Sequence, residues 1–328
     1  MKYLGNKGRL SEFLEINMNL KNRAGQTALD LFAGTGSVSL LFKNNSLNTV
    51  SNDRLSFSSH MVRSILLDKP PNKIVDLNTA TRDGFITNNY SEKIGVNIFK
   101  NDIAEHIDGA RTYLEINRDK FTKQEFSYYL SQIIEAADFR ANIMGSYESY
   151  YKGGWRKQAL KKWAVEDFAL VDSHGTTTHK VYNQDVLEFL TETEDSYDFI
   201  YFDPPYNTRQ YSSVFHVLET ISEYDNPEVS GKIRKNINLK DKKSNFSSKI
   251  KCYQEFEEMF GESSKKTDQV FLSYSNEGIL DIPQIQSLLL KFYKNIDIAE
   301  YDYRRFKTNS RKPNKKNKVK EYLINASK

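Results

Sequence analysis

The stretch "TALDLFAGTGSVSLLF", residues 27–42, changes its period midway. Ala28 to Phe32 are apolar or strand-like and run into a glycine turn, Gly34-Thr35-Gly36. Ser37 to Phe42 then follow helical spacing. The pattern reads as a buried strand, a tight turn and a helix. Glycines at such a turn let backbone approach a ligand closely. The third glycine of the dinucleotide fingerprint is missing, which counts against a nicotinamide-dependent dehydrogenase.

The same alternation repeats outward from this unit. "NTVSNDR", 48–54, reads as a strand ending at Asp53, and "SFSSHMVRSILL", 56–67, as the helix after it. "KVYNQDVLEFL", 180–190, is a strand running into a helix at Asp185. "YDFIYF", 197–202, is a strand ending at a pair of prolines, and "SVFHVLETISEY", 213–224, is helical by period. "QVFLSYSNEG", 269–278, is a strand and loop followed by the helix "IPQIQSLLLKFY". "IDIAEYDYRRF" and "KVKEYLINA" look like paired strands joined by a basic loop. Strands alternating with helices predict a doubly wound, mostly parallel α/β sheet with an antiparallel edge pair. Residues 68–178 lose the alternation and are rich in helix formers and aromatics. They are expected to form an inserted, mostly helical subdomain between sheet segments 1–67 and 179–328, since so long a structureless loop is improbable.

Composition narrows the class. The chain has 328 residues, a net charge of +4, 38% hydrophobic and 27% charged residues. No apolar run approaches a membrane span, and "MKYLGNKGRL" has no signal-peptide core. A single cysteine, Cys252, permits neither an intrachain disulfide nor a cysteine zinc site, and the five histidines lack metal-ligand spacing. A cytoplasmic protein with no metal and no membrane partner is expected. Basic charge clusters in "YRRFKTNSRKPNKKNKVK", 303–320, and, laced with aromatics, in "SYESYYKGGWRKQALKKW", 146–163. Alone, each fits a solvated surface; basic charge between aromatic rings also suits a phosphate backbone with bases.

In a doubly wound sheet, ligands bind beyond the carboxyl ends of the strands. Asp30 to Gly36, Asp53, Asp185 and Asp203 to Tyr206 all fall there. Asp53 ends its strand at the position from which an acidic residue takes ribose hydroxyls, so a nucleoside-bearing cofactor fits. The corner "FDPPY", 202–206, is rigid because two prolines fix the chain's direction. Asp203 and the free carbonyl of Pro204 are acceptors, and Tyr206 offers a flat face for a planar base. Two acceptors holding an exocyclic amine would localise its lone pair, readying it to attack an activated methyl group.

These pieces, in this order, resemble the Dam-like class of N6-adenine-specific DNA methyltransferases, of restriction–modification type. The resemblance rests on "KYLGNKGRL" (2–10), "DLFAGTGSVSL" (30–40), "SNDR" (51–54), "NQDVLEFL" (183–190) and "FDPPYNTRQY" (202–211). "FRANIMGSYESYYKGGW" (139–155), "RQYSSVFHVLETISEYD" (209–225) and "SYSNEG" (273–278) extend it nearly end to end. It implies an AdoMet-dependent methyltransferase (Rossmann-like) sheet and S-adenosyl-L-methionine as cofactor. Tyr3 and Lys7 would help hold the methionine end, with Asp30, Phe32, Gly34 and Gly36 lining it. Asp53 would hold the ribose and Asp185 the cofactor adenine. Asp203, Pro204, Pro205 and Tyr206 would form the catalytic corner around an adenine flipped out of double-stranded DNA. Segment 68–178 would recognise the target, with 225–250 also on DNA. Arg140, Lys152, Arg156, Lys157, Lys161, Arg209 and Gln210 are the candidate contacts. A cognate restriction endonuclease would be the partner enzyme. Tyr3 stands where many relatives have Trp. The alternatives are methylation of RNA or a protein amide, whose related sites tend to carry Asn at the Asp203 position, and a catalytically silent AdoMet- or DNA-binding fold.

Overall fold

Strand β1, Thr27–Asp30, lies between two parallel neighbours, which is why Ala28 and Leu29 can be fully buried on opposite faces. The computed structural model describes residues 7–73, 75–168, 170, 177–304 and 318–328. In chain order the other strands are β2 (Asn48–Asn52), β3 (His179–Tyr182), β4 (Phe199–Phe202), β5 (Val229–Ser230), β6 (Lys235–Asn236), β7 (Gln269–Ser275), β8 (Asn295–Arg304) and β9 (Lys318–Ser327). Seven form one sheet in the order β3-β2-β1-β4-β7-β9-β8, and β5 pairs with β6 as a separate hairpin. The first five are parallel, and β9 runs antiparallel to β7 and β8. The expected mixed sheet with its antiparallel edge is therefore present. Strand order reverses between β1 and β4, and that switch point places a crevice at their carboxyl ends.

The helices are α1 (Ser11–Asn17), α2 (Ser37–Asn44), α3 (Ser56–Ile65), α4 (Phe85–Tyr90), α5 (Asn101–Ile116), α6 (Lys123–Arg140), α7 (Val186–Glu192), α8 (Tyr211–Val214), α9 (His216–Glu223), α10 (Cys252–Ser264) and α11 (Ile282–Leu289). A short 3-10 turn, Lys7–Leu10, precedes α1. On one sheet face, Leu14 and Phe42 from α1 and α2 pack on Phe199, Tyr201 and Phe271. On the other, α7, α10 and α11 bury Phe189, Phe256, Phe260 and Leu288 against Leu29, Ile200 and Leu272. A third core joins α3 and α9 to α4, α5 and α6 through Phe57, Leu218, Ile107 and Ile134. The helices between residues 68 and 178 thus share their interior with helices that flank the sheet.

Two details differ from the sequence reading. The helix expected over 213–224 is broken at Phe215 into α8 and α9. The α-helices of 68–178 also all lie between Phe85 and Arg140. Past Arg140, the described backbone is irregular except for one 3-10 turn, Gln158–Leu160. Gly145 (φ 93°) and Gly154 (φ 148°) take backbone angles that side chains disfavour, which breaks helical continuity. Asn142 holds this stretch: its amide donates to the carbonyls of Asn97, Tyr151 and Gly154. Buried Tyr147 and Trp163 pin it to the third core.

Candidate active site

The β1–α2 turn builds one wall. Gly36 sits at φ 82°, and a Cβ there would lie 2.3 Å from Cδ1 of Ile65. The angle favours glycine, and a side chain there would also push Ile65 aside. The Gly34 N–H donates to Asp53 Oδ2 at 2.8 Å, and the Leu55 N–H donates to Asp53 Oδ1 at 2.8 Å. Asp53 thus ties the ends of β1 and β2 together. Its carboxyl is pushed up to about 7, chiefly by burial.

Asp30 ends β1 and is 1% exposed. Its Oδ2 accepts from Ser39 Oγ at 2.6 Å. Its Oδ1 is buried with no hydrogen-bond partner among the described residues. Burial, with Asp203 and Asp53 adding like charge, pushes its carboxyl up to about 7. An unpartnered buried acceptor is costly, and here it fits a cation or donor brought by a ligand.

The corner after β4 forms the wall beside β1. Lys7 Nζ lies 3.0 Å from Asp203 Oδ1 and 3.5 Å from Glu321 Oε2 of β9. Burial alone would lower the Lys7 ammonium; Asp203 and Glu321 instead hold it well above its usual value. Burial raises the Asp203 carboxyl, and Lys7 opposes that rise. Lys7 Nζ also lies 5.9 Å from the centre of the Tyr206 ring. That ring meets Tyr274 edge-on, with centroids 6.2 Å apart, and the Tyr206 carbonyl accepts from the Ile279 N–H. Burial pushes its hydroxyl up to about 12, so it stays protonated. Pro204 is buried beside it.

One cleft joins the two walls. Lys7, Asp30, Phe32, Gly34, Asp53, Asp185, Asp203 and Pro205 all line it. Asp185 caps α7, accepting from the Leu187 N–H at 3.0 Å, and pairs with Arg54 at 2.7 Å. Arg54 also donates to the carbonyls of Asp241 and Lys243. A strap, 241–246, thereby crosses the cleft. Phe246 meets Phe32 edge-on at 5.2 Å, and Lys242 pairs with Glu219 and Glu223. Sequence reading singled out neither Glu321 nor Arg54, and it assigned 225–250 to DNA without placing 241–246 over the cleft. Tyr3 and most of the basic stretch 304–320 lie outside the described residues.

The expected nucleic-acid contacts divide into two groups. Lys152, Lys157 and Lys161 are exposed. So is Arg209, which pairs with Glu148 at 3.4 Å and so links the proline corner to the 143–150 loop. The other three are engaged within the protein. Arg140 is 5% exposed and donates to the carbonyls of Lys162 and Ala136. Arg156 donates to the carbonyls of Ala141 and Ile143. Gln210 grips Ser244 at both its N–H (2.8 Å) and its carbonyl (3.0 Å). In this structure the Arg140 guanidinium is held on main-chain acceptors. Arg140→Ala should lower the unfolding free energy by about 1.5–3 kcal/mol, because it leaves buried carbonyls without a charged donor. Chemical denaturation reads this; a contact residue would instead weaken DNA binding at unchanged stability.

Among the described residues no cluster of three or more His, Cys, Asp or Glu could hold a metal, and no helix is long and apolar enough to cross a membrane. Residues 3–288 match the family described as D12 class N6 adenine-specific DNA methyltransferase. The chain is 32% identical to the modification methylase LlaI of Lactococcus lactis subsp. lactis, over 94% of this chain and 52% of that protein. It is 30% identical to the type II methyltransferase M.FokI of Planomicrobium okeanokoites, over 99% of this chain and 52% of that one. With the type II methyltransferase M.NlaIII of Neisseria lactamica, identity is 31% over 98% of both chains. The chain therefore spans about half the length of the first two relatives and nearly all of the third. On the family match over most of its length, this chain belongs to the D12 class N6 adenine-specific DNA methyltransferases.

Proposed function

We propose that this chain transfers the methyl group of S-adenosyl-L-methionine to the N6 amine of an adenine flipped out of double-stranded DNA. In this reading it is the modification enzyme of a restriction–modification system, acting in the cytoplasm beside a cognate endonuclease. The observation that carries the proposal is that Asp203 and the unpartnered Asp30 carboxylate oxygen line the same cleft.

The residues fit the cofactor. Asp30 Oδ1 offers the missing acceptor for an ammonium group, which would return its carboxyl to the ionised form. Asp53 keeps free lone pairs for ribose hydroxyls beside the two N–H groups it already accepts. Asp185 accepts from the cofactor's adenine, and Phe32 with Phe246 encloses the cleft. The bound cofactor supplies an electrophilic methyl group. Asp203 and the Pro204 carbonyl accept the two hydrogens of the adenine amine and localise its lone pair, while Tyr206 stacks on the extruded ring. Lys7 steadies Asp203 at 3.0 Å. Lys152, Lys157, Lys161 and Arg209, with segment 68–178, face the duplex.

Incubating the purified chain with methyl-labelled S-adenosylmethionine and duplex DNA tests this, after digestion to nucleosides. Label in N6-methyladenine is expected. Label in RNA or protein substrates alone would replace the reading. Tyr206→Ala should weaken the grip on the extruded base by about 1–3 kcal/mol, the worth of one base–aromatic stack. The check is KM for DNA, and an unchanged value would remove the stacking role.

A further inference from the structure

The Lys7 ammonium has two carboxylate partners, and only one belongs to the proline corner. Glu321 stands on β9, is 8% exposed, and brings its Oε2 within 3.5 Å of Lys7 Nζ. Asp203 Oδ1 lies 3.0 Å from the same nitrogen. Two carboxylates sharing one ammonium leave the trio with a net negative charge in a desolvated space. Around it stand Asp30 at the end of β1, Tyr201 on β4, Tyr206 on the corner, Tyr211 on α8 and Glu277 after β7. None of these is basic, so among these described residues Lys7 is the cation that the two acids divide between them.

We propose that Glu321 is a positioning residue for methyl transfer, keeping Asp203 a strong acceptor by taking a share of the Lys7 ammonium. An Asp203 paired with Lys7 alone would have its charge neutralised and would bind the adenine amine weakly. With Glu321 competing, Asp203 keeps a higher proton affinity, as nearby like charge demands. In transfer, the N6–CH3 bond forms as the S–CH3 bond breaks, with sulfur keeping the electron pair. One N6 proton passes to the Asp203 carboxylate and then to water. A more basic carboxylate is the better acceptor in that step. Asp203 in turn adds like charge at Glu321, which burial already raises.

Glu321→Gln keeps the shape and removes the charge. The acid limb of its pH–kcat/KM profile on duplex DNA is expected about one pH unit below that of the unsubstituted chain, since Asp203 then titrates beside Lys7 alone. Glu321→Asp should return the limb. A limb that stays in place in Glu321→Gln would overturn the proposal. Because a buried substitution can cost the fold, a second measurement uses the unsubstituted chain. In carboxyl-labelled 13C NMR, Asp203 and Glu321 should titrate in two coupled steps; two independent single-step curves would overturn the proposal as well. The inference rests on the adenine-N6 reading. An unsubstituted chain that methylates no DNA removes that reading, and the coupled titration then decides the pair by itself.

Discussion

Asp203→Ala is expected to lower methyl transfer by about 10²–10⁴-fold, the usual worth of a positioned acid–base group, with S-adenosylmethionine still bound. Asp203 follows β4, the strand beside the one that Asp30 ends, and in the proposed mechanism it acts on the target amine. Loss of its carboxylate does not strand a buried cation, because Lys7 keeps Glu321 at 3.5 Å. The fold should therefore survive, with Asp30, Asp53 and Asp185 still in place for the proposed cofactor contacts. Calorimetric titration with S-adenosylmethionine, run beside the transfer assay, separates the two effects. A variant that loses cofactor affinity in step with activity would show that Asp203 belongs to the cofactor's side of the cleft.

Lys7→Met is expected to cost about 3–5 kcal/mol of stability, because removing one partner of a buried ion pair leaves the other uncompensated. Here two carboxylates lose the same cation. For a domain of this order the melting temperature should fall by on the order of 10 °C. The pH dependence has a definite sign. Burial already raises the Asp203 and Glu321 carboxyls above their usual values, and loss of Lys7 raises them further. A carboxyl with a raised folded-state pKa favours the fold below its unfolded value and loses that contribution as pH climbs through the folded value. The deficit of Lys7→Met should accordingly be smallest in mild acid and grow toward alkaline pH. Thermal melts at several pH values check this, and an equal deficit at every pH would mean that Lys7 serves through packing alone.

The sheet was legible in the sequence because its strands are short, apolar and punctuated. The switch from strand to helix period at Gly34–Gly36, and the prolines after Phe202, mark strand ends without knowledge of the partners. The acids that converge on the cleft were legible for the same reason, since each follows a strand. What the sequence hid depends on distant partners. Glu321 lies 314 residues from Lys7, and β9 must insert between β7 and β8 before they meet. Arg140 and Lys152 look alike as letters, yet one finds main-chain carbonyls beneath α6 and the other finds solvent. Gln210 reads in sequence as a candidate DNA contact, and the match of its amide to the backbone of Ser244 on the strap left no mark there. Helical period over 213–224 was read correctly in kind, and the break at Phe215 left no mark in the residue types.

The central claim is most directly tested in a host that lacks adenine methylation. The chain is expressed there beside an Asp203→Ala control, and genomic DNA is read for N6-methyladenine by single-molecule sequencing. The account predicts modified adenines in one fixed short sequence context, absent from the control. Unmodified DNA from cells whose purified protein still binds S-adenosylmethionine would contradict it.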